Sequence, residues 1–231
     1  MERPPHRAIL FDLFDTLCRI DETIYLEGKA EEARVLGFDP EAFLDAWIAL
    51  GDHAQTGVLT DIPARVRAVA RALGRVPDAR LVERAARVEV DSLISGTTLY
   101  PDVLPTLRAV RVRDSLKVGL VSNASSTATI LFERLGLGAY FDATVFSFQV
   151  GVVKPQPAIY LRACDDLRVP PGSCLFVGDG NARELDGAKA LGMEAARIER
   201  PVSLGPYRKE ESLHFDFSVG DLTRVVSLLR S

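Results

Sequence analysis

Apolar residues along this chain recur in two rhythms. In the first they run unbroken and then stop at a polar or glycine residue. The runs are AILFD (8–12), KVGLVSN (117–123), ATVFSF (143–148), CLFVGD (174–179) and EAARI (194–198), with FDFSV (215–219) a weaker case. Strands buried on both faces of a parallel sheet carry such runs, because neither face needs polar side chains. In the second rhythm apolar residues return every three or four positions, as on an amphipathic helix. TATILFERLGL (127–137) follows it to a glycine stop at Gly136. QPAIYLRACDDL (156–167) has Pro157 near a helix start, and ARELDGAKALGM (182–193) ends at Gly192. Strands alternating with single helices predict a doubly wound α/β domain with a parallel sheet.

Residues from about 18 to about 100 break that alternation. DPEAFLDAWIAL (39–50) offers Asp39 as an N-cap and Pro40 in the first turn. IPARVRAVARALG (62–74) and DARLVERAARVEVDSLI (78–94) set arginine-rich faces against Ala, Val and Leu. The block predicts roughly four helices and no strand. It reads as a helical-bundle cap over residues 18–99, inserted into a core made of 1–17 and 100–231. The insertion leaves directly after the first strand, so it is expected to lie over whatever that strand presents.

Composition narrows the class. The chain has 231 residues, 47% hydrophobic and 26% charged, enough for one ordinary core without disulfide staples. Its net charge of −4, with no basic run, argues against a nucleic-acid partner. No apolar stretch is long enough for a bilayer, and MERPPHR lacks a signal peptide's apolar segment, so a soluble cytoplasmic protein is expected. Cys18, Cys164 and Cys174 fit reduced thiols. His6, His53 and His214 are too far apart to suggest a zinc site or a histidine-centred triad.

Ligands of open parallel sheets bind outside the carboxyl ends of the strands. At those ends this sequence has Asp12, then Ser122 with Asn123, then Gly178 with Asp179. Lys154 lies on the loop VGVVKPQP, and Glu184 follows Asp179 by five residues. A single aspartate at a strand end is usually a cap, but two carboxylates, a lysine and a hydroxyl at one edge suggest chemistry. A carboxylate can displace at phosphorus or carbon when the electrophile is held in line. Phosphoryl transfer further asks for Mg²⁺, a cation and hydrogen-bond donors. Asp12 and Asp179 suit Mg²⁺, Lys154 suits the substrate charge, and Ser122 with the amides after it suits an anion.

The set resembles the four motifs of the haloacid dehalogenase-like superfamily, across essentially the whole chain. FDLFDTL resembles motif I, with Asp12 as nucleophile and Thr16 in the threonine position. LVSNAS resembles motif II at Ser122, VGVVKPQPAIY motif III at Lys154, and VGDGNARELDGAKALGM motif IV at Asp179. The resemblance implies catalytic roles for Asp12, Thr16, Ser122 and Lys154. It implies Mg²⁺ at Asp12, the Phe14 carbonyl, Asp179 and Glu184, and substrate contact by Phe14, Asn123 and Asn181. The implied substrate is a small molecule, a phosphate ester or a 2-haloacid.

Phe14 departs from the pattern. Phosphatases of the superfamily carry there an aspartate that protonates the leaving group, and Phe14 cannot. Asp15 is a poor replacement, since alternate strand residues share a face and residue 15 belongs to the other. The superfamily's dehalogenases lack that acid and need no metal, because halide leaves unprotonated. Asn181 fits their motif IV, whereas Asp179 is a metal-type acid where they have serine. Two like charges at Asp12 and Asp179 favour a cation between them, so Mg²⁺-dependent phosphate ester hydrolysis is preferred. A metal-independent 2-haloacid dehalogenase is the alternative, and a non-catalytic binding scaffold the second. Phosphonatase-like chemistry needs a cap lysine, and Lys29 stands too close to motif I for it. Tyr160 and Trp47 read as packing residues, Cys18 as a small buried one, His53 as solvated, and Asp15 as a turn residue. Arg183 is open between the surface and an anionic substrate, and no cap arginine, Arg34 included, is singled out.

Overall fold

The computed structural model describes residues 5–113 and 115–230. The first four residues of MERPPHR and of the 1–17 segment lie outside them. The sheet is built from β1 (Ala8–Phe11), β4 (Lys117–Ser122), β5 (Ala143–Phe146), β6 (Cys174–Gly178), β7 (Glu194–Ile198) and β8 (Phe217–Val219). Its order is β5-β4-β1-β6-β7-β8, with every pairing parallel. β1 is central, so the connections wind outward from it in both directions and its carboxyl end marks the switch point.

Alternate residues of the strands feed two separate cores. Ile9, Phe11, Val118, Leu120, Leu175 and Val177 pack on one face with α6 (Val103–Arg111), α7 (Thr127–Arg134) and α11 (Val225–Leu228). Ala8, Leu10, Val121, Cys174 and Phe176 pack on the other with α9 (Pro157–Leu167) and α10 (Glu184–Ala190). Both faces are covered, and the strands therefore read as unbroken apolar runs. The expected strand at 143–148 stops at Phe146, because Ser147–Val150 turns into a short helix, α8. Its Ser147 hydroxyl is spent on the backbone of Ala124.

The insertion contains α1 (Glu22–Leu36), α2 (Pro40–Ala49), the short α3 (Gly51–Gln55), α4 (Ile62–Ala72) and α5 (Ala79–Gly96). Asp39 and Asp61 cap α2 and α4 through their side chains. Phe43, Trp47, Val66, Val69, Val82 and Ala85 give the bundle its own core. The expectation of no strand in this block is corrected. β2 (Cys18–Ile20) and β3 (Thr97–Leu99) form an antiparallel ribbon at the root of the helices. Each has three residues, too few for a period-two pattern to stand out in sequence. Among the described residues no helix is long and apolar enough to cross a membrane.

Candidate active site

β1 ends at Phe11, and the next residue, Asp12, is held by a hydrogen bond from its N–H to the Val177 carbonyl of the neighbouring strand. The chain then turns tightly: Leu17 and Cys18 both donate to the Leu13 carbonyl, and Asp15 adopts a left-handed φ of 55°. This φ changes the expectation for Asp15. Strand alternation would send residue 15 away from the cleft, but the left-handed turn brings it to the same cavity wall as Asp12 and Phe14. Its carboxylate is engaged by the N–H and hydroxyl of Ser203.

Lys154 arrives from the loop between α8 and α9, and Asn123 fixes that loop. The Asn123 side chain accepts from the Lys154 N–H at 2.7 Å and donates to the Lys154 carbonyl at 3.2 Å. Lys154 Nζ then bridges two acids, 2.5 Å from Asp12 Oδ1 and 2.5 Å from Glu184 Oε2. Glu184 reaches this position because two glycines leave room. A Cβ on Gly178 would fall on the Glu184 carboxylate, and one on Gly187 would lie 2.7 Å from the Pro155 carbonyl. Close approach of α10 to the lysine loop brings acid and amine together. Tyr160, fully buried as a packing residue should be, donates to the Glu184 carbonyl at 2.7 Å.

Asp12, Asp179 and Glu184 offer carboxylate oxygens within 4.8 Å of one another, all three buried. Burial raises the pKa of Asp12, with Lys154 opposing and Asp179 adding to the rise. Burial likewise lifts Glu184 well above a normal glutamate. For Lys154 burial works against the charge, but Asp12 and Glu184 outweigh it and hold the ammonium well above its usual range. An all-oxygen set of this kind suits a hard divalent cation. Asp12 and Asp179 fit as direct ligands. Glu184 fits as a ligand or a support, its oxygens accepting from Gly180 N–H at 3.0 Å and from Lys154, as those of Asp179 accept from Asn181 N–H at 3.1 Å and from Arg208.

Phe14, Asn123 and Asn181 line the cavity, which measures about 170 Å³ and is roofed by the helical insertion. Thr16 and Ser122 do not line it. Both are fully buried, and the hydroxyl of each lacks a hydrogen-bond partner among the described residues. Of the amides following Ser122, that of Ala124 is committed to Ser147 Oγ at 2.9 Å and is not open to an anion. Asn181 is partly committed as well, its side-chain oxygen accepting from Lys209 N–H at 2.8 Å.

The residues not anticipated from sequence lie mainly on the loop after β7. There Arg208 pairs with Asp179, Ser203 holds Asp15, and Lys209 reaches Asp52 of the insertion at 2.6 Å. Tyr207 of the same loop meets Tyr25 of α1 hydroxyl to hydroxyl, at 2.5 Å. The only sequence signal was a basic pair, Arg208-Lys209, in a stretch rich in Pro and Gly. Arg183, half exposed, pairs with Asp186 on its own turn.

The sequence profile of one family spans most of this architecture, from β1 through α10, matching residues 6–192. The chain belongs to the haloacid dehalogenase-like hydrolases. It is a hydrolase, with that family's α/β core. It is similar to glyceraldehyde 3-phosphate phosphatase of Methanopyrus kandleri, 31% identical over 224 residues that cover 91% of this chain and 89% of the relative. Among solved structures it is similar to a defluorinating L-2-haloacid dehalogenase, with TM-score 0.68, 25% identity and coverage of 98% of this chain and 96% of that one. A haloacid dehalogenase-like phosphatase from Thermococcus onnurineus shares the fold at TM-score 0.66 and 24% identity, covering 96% and 97%. Phosphatases and dehalogenases thus both stand among the relatives of this hydrolase.

Proposed function

We propose that this hydrolase cleaves small phosphate monoesters with Asp12 as nucleophile and Mg²⁺ as cofactor. One observation carries the reading: the buried Asp12, Asp179 and Glu184 oxygens gathered within 4.8 Å. A metal-independent dehalogenase has no use for a carboxylate at Asp179 beside its nucleophile, where it would only repel the charge. The phosphatase relative supports the same choice.

In this reading the helical insertion, residues 18–99, acts as a cap that closes the cleft over the substrate. A carboxylate oxygen of Asp12 attacks phosphorus, the bond from phosphorus to the ester oxygen breaks, and an aspartyl phosphate forms. Water then attacks that phosphorus, releasing inorganic phosphate and restoring Asp12. Lys154 holds the Asp12 carboxylate in place and offsets charge on the phosphoryl oxygens. The hydroxyls of Thr16 and Ser122, buried and without hydrogen-bond partners among the described residues, are assigned as donors for those oxygens, which requires the cavity wall to open toward them when the phosphoryl group seats. Asp12, Asp179 and the Phe14 carbonyl would hold Mg²⁺, with Glu184 in support, and the bound ion supplies neutralisation of phosphoryl charge. Phe14 supplies no proton, so the favoured leaving groups are ones stable as anions, such as aryl oxides or carboxylates.

A second reading has its own observation. Phe14 is also what a 2-haloacid dehalogenase would use, since halide needs no proton. The deciding experiment is turnover of 4-nitrophenyl phosphate and of 2-chloropropionate, each with Mg²⁺ and with EDTA. Phosphate release that requires Mg²⁺ is expected. Halide release in EDTA would overturn the proposal, and silence on both substrates by folded protein would point to a binding scaffold.

A further inference from the structure

Two of the three cysteines meet in the core, and the chemistry at Asp12 uses neither. Cys164 lies on α9 and Cys174 opens β6, ten positions later in the chain. Both are buried free thiols in the core that α9 and α10 share with the sheet. Their sulfurs stand 3.9 Å apart. A buried cysteine is ordinarily a small packing residue, and Cys18 is such a case, its thiol directed at the Leu13 carbonyl at 3.6 Å. Packing alone does not ask for two sulfurs in contact.

The surroundings give the two thiols different roles. The hydrogen bond with Cys174 lowers the pKa of Cys164, while that bond and burial raise Cys174. Burial, with Asp12 and Asp15 adding to it, holds Cys18 well above a normal thiol. The thiolate is the reactive form, so Cys164 reacts first and Cys174 stands next to it as the resolving thiol. The connection between them runs along the surface: Arg168, Pro170 and Gly172 are exposed, and Leu167, Arg168 and Val169 wall an open cavity. A water-sized oxidant has only this short loop to pass.

We propose that Cys164 and Cys174 form an oxidation site, joined as a disulfide by hydrogen peroxide or a related peroxide. The Cys164 thiolate attacks a peroxide oxygen. The O–O bond breaks, leaving a sulfenic acid and a hydroxide that takes up the proton Cys164 has lost. The Cys174 sulfur then attacks the Cys164 sulfur. The S–S bond forms, the S–O bond breaks, and the hydroxyl leaves with the Cys174 proton as water. Each sulfur gives up one electron, and the peroxide is reduced to two waters. The sulfurs close from 3.9 Å to the roughly 2.0 Å of a bond. The bond fastens α9 to β6. Because α9 follows the Lys154 loop and carries Tyr160, the residue that donates to the Glu184 carbonyl, it braces the scaffold of the site without touching the cavity.

The test is a thiol map of the full chain. Reduced protein is treated with hydrogen peroxide, quenched with catalase, denatured with iodoacetamide and digested. A Cys164–Cys174 link with Cys18 alkylated is expected, and dithiothreitol should return all three thiols. The oxidised protein should melt about 5 °C above the reduced one, as a closed loop in the unfolded chain requires. Cys174→Ser should abolish the link and that rise, with the sulfenic acid accumulating at Cys164. Three alkylated cysteines after peroxide, a link that includes Cys18, or unlinked sulfinic acid at Cys164 each overturn the site, and none of these needs a variant to fold. An oxidised protein that melts no higher than the reduced one overturns the bracing role.

Discussion

The guanidinium of Arg208 lies on the carboxylate of Asp179, the acid of the cluster that Lys154 does not bridge. Each of the three buried carboxylates therefore has a cationic side chain beside it. Lys154 is placed by the core, while Arg208 comes from the loop that also touches the helical insertion through Tyr207 and Lys209. A divalent cation at Asp179 would have to share or displace that guanidinium.

Arg208 is accordingly expected to weaken Mg²⁺ binding. Arg208→Met should lower the Mg²⁺ dissociation constant of the substrate-free protein by roughly tenfold, one charge-assisted contact being removed from competition. Isothermal titration with Mg²⁺ alone reads this directly. Equal or weaker binding in the variant would show that Arg208 does not compete at Asp179.

Asp12 is expected to be indispensable. Asp12→Asn keeps the size of the side chain but removes the nucleophile, and turnover should drop by a factor of about 10⁴ or more. Circular dichroism would establish that the variant is folded. Activity within tenfold of wild type, on any substrate the enzyme accepts, would place the nucleophile elsewhere.

Phe14→Asp should supply the missing proton donor. The expected gain is selective: hydrolysis of an alkyl phosphate such as glycerol 3-phosphate rises by about 10²–10⁴ relative to 4-nitrophenyl phosphate. An alkoxide needs the proton, whereas nitrophenolate does not. Steady-state rates on the two esters, taken as a ratio, check it. A ratio that stays put would mean residue 14 does not face the leaving oxygen.

Glu32 should make stability fall as pH rises. Burial raises its pKa from 4.5 to about 8. Between those values the folded protein keeps a proton that the unfolded chain has released. The stability is thus full below about pH 4.5 and declines toward about pH 8. Urea midpoints at about pH 5 and about pH 8 should differ in that direction, and Glu32→Gln should shrink the difference. An identical decline in the variant would assign it to other groups, Asp12 and Glu184 included, whose raised values act with the same sign.

The legible part of this protein was what travels in local pattern. The unbroken apolar runs marked the strands, because both faces of a parallel sheet are covered. The polar residues ending those runs marked Asp12 and Asp179, since chain direction puts successive carboxyl ends at one edge, and Lys154 and Glu184 were marked by the segments that follow such ends. The helical insertion was equally plain from its three-to-four spacing, with Asp39 and Pro40 at a helix start. The short ribbon of β2 and β3 escaped, having no length in which to show a period.

Tertiary structure decided the rest. Asp15 faces the cleft because of one left-handed turn, overriding the alternation that strand geometry implies. Ser122 at the end of β4 and Thr16 in the turn after β1 are covered and do not line the cavity. Arg208 and Arg65 looked like any other arginine in a chain rich in them. Their significance depends on which partner the fold sets beside them: an acid 29 residues away for Arg208, and for Arg65 on α4 the carbonyl and ring of Trp47, with no acid among the described residues. The sequence by itself determined the strands of a parallel sheet and the acids that follow them, because backbone direction and side-chain polarity are local properties, while the strand order with β1 in the centre came from the fold. Which charges meet, and which are left without a partner, is set by packing between distant segments, and only the folded chain expresses it.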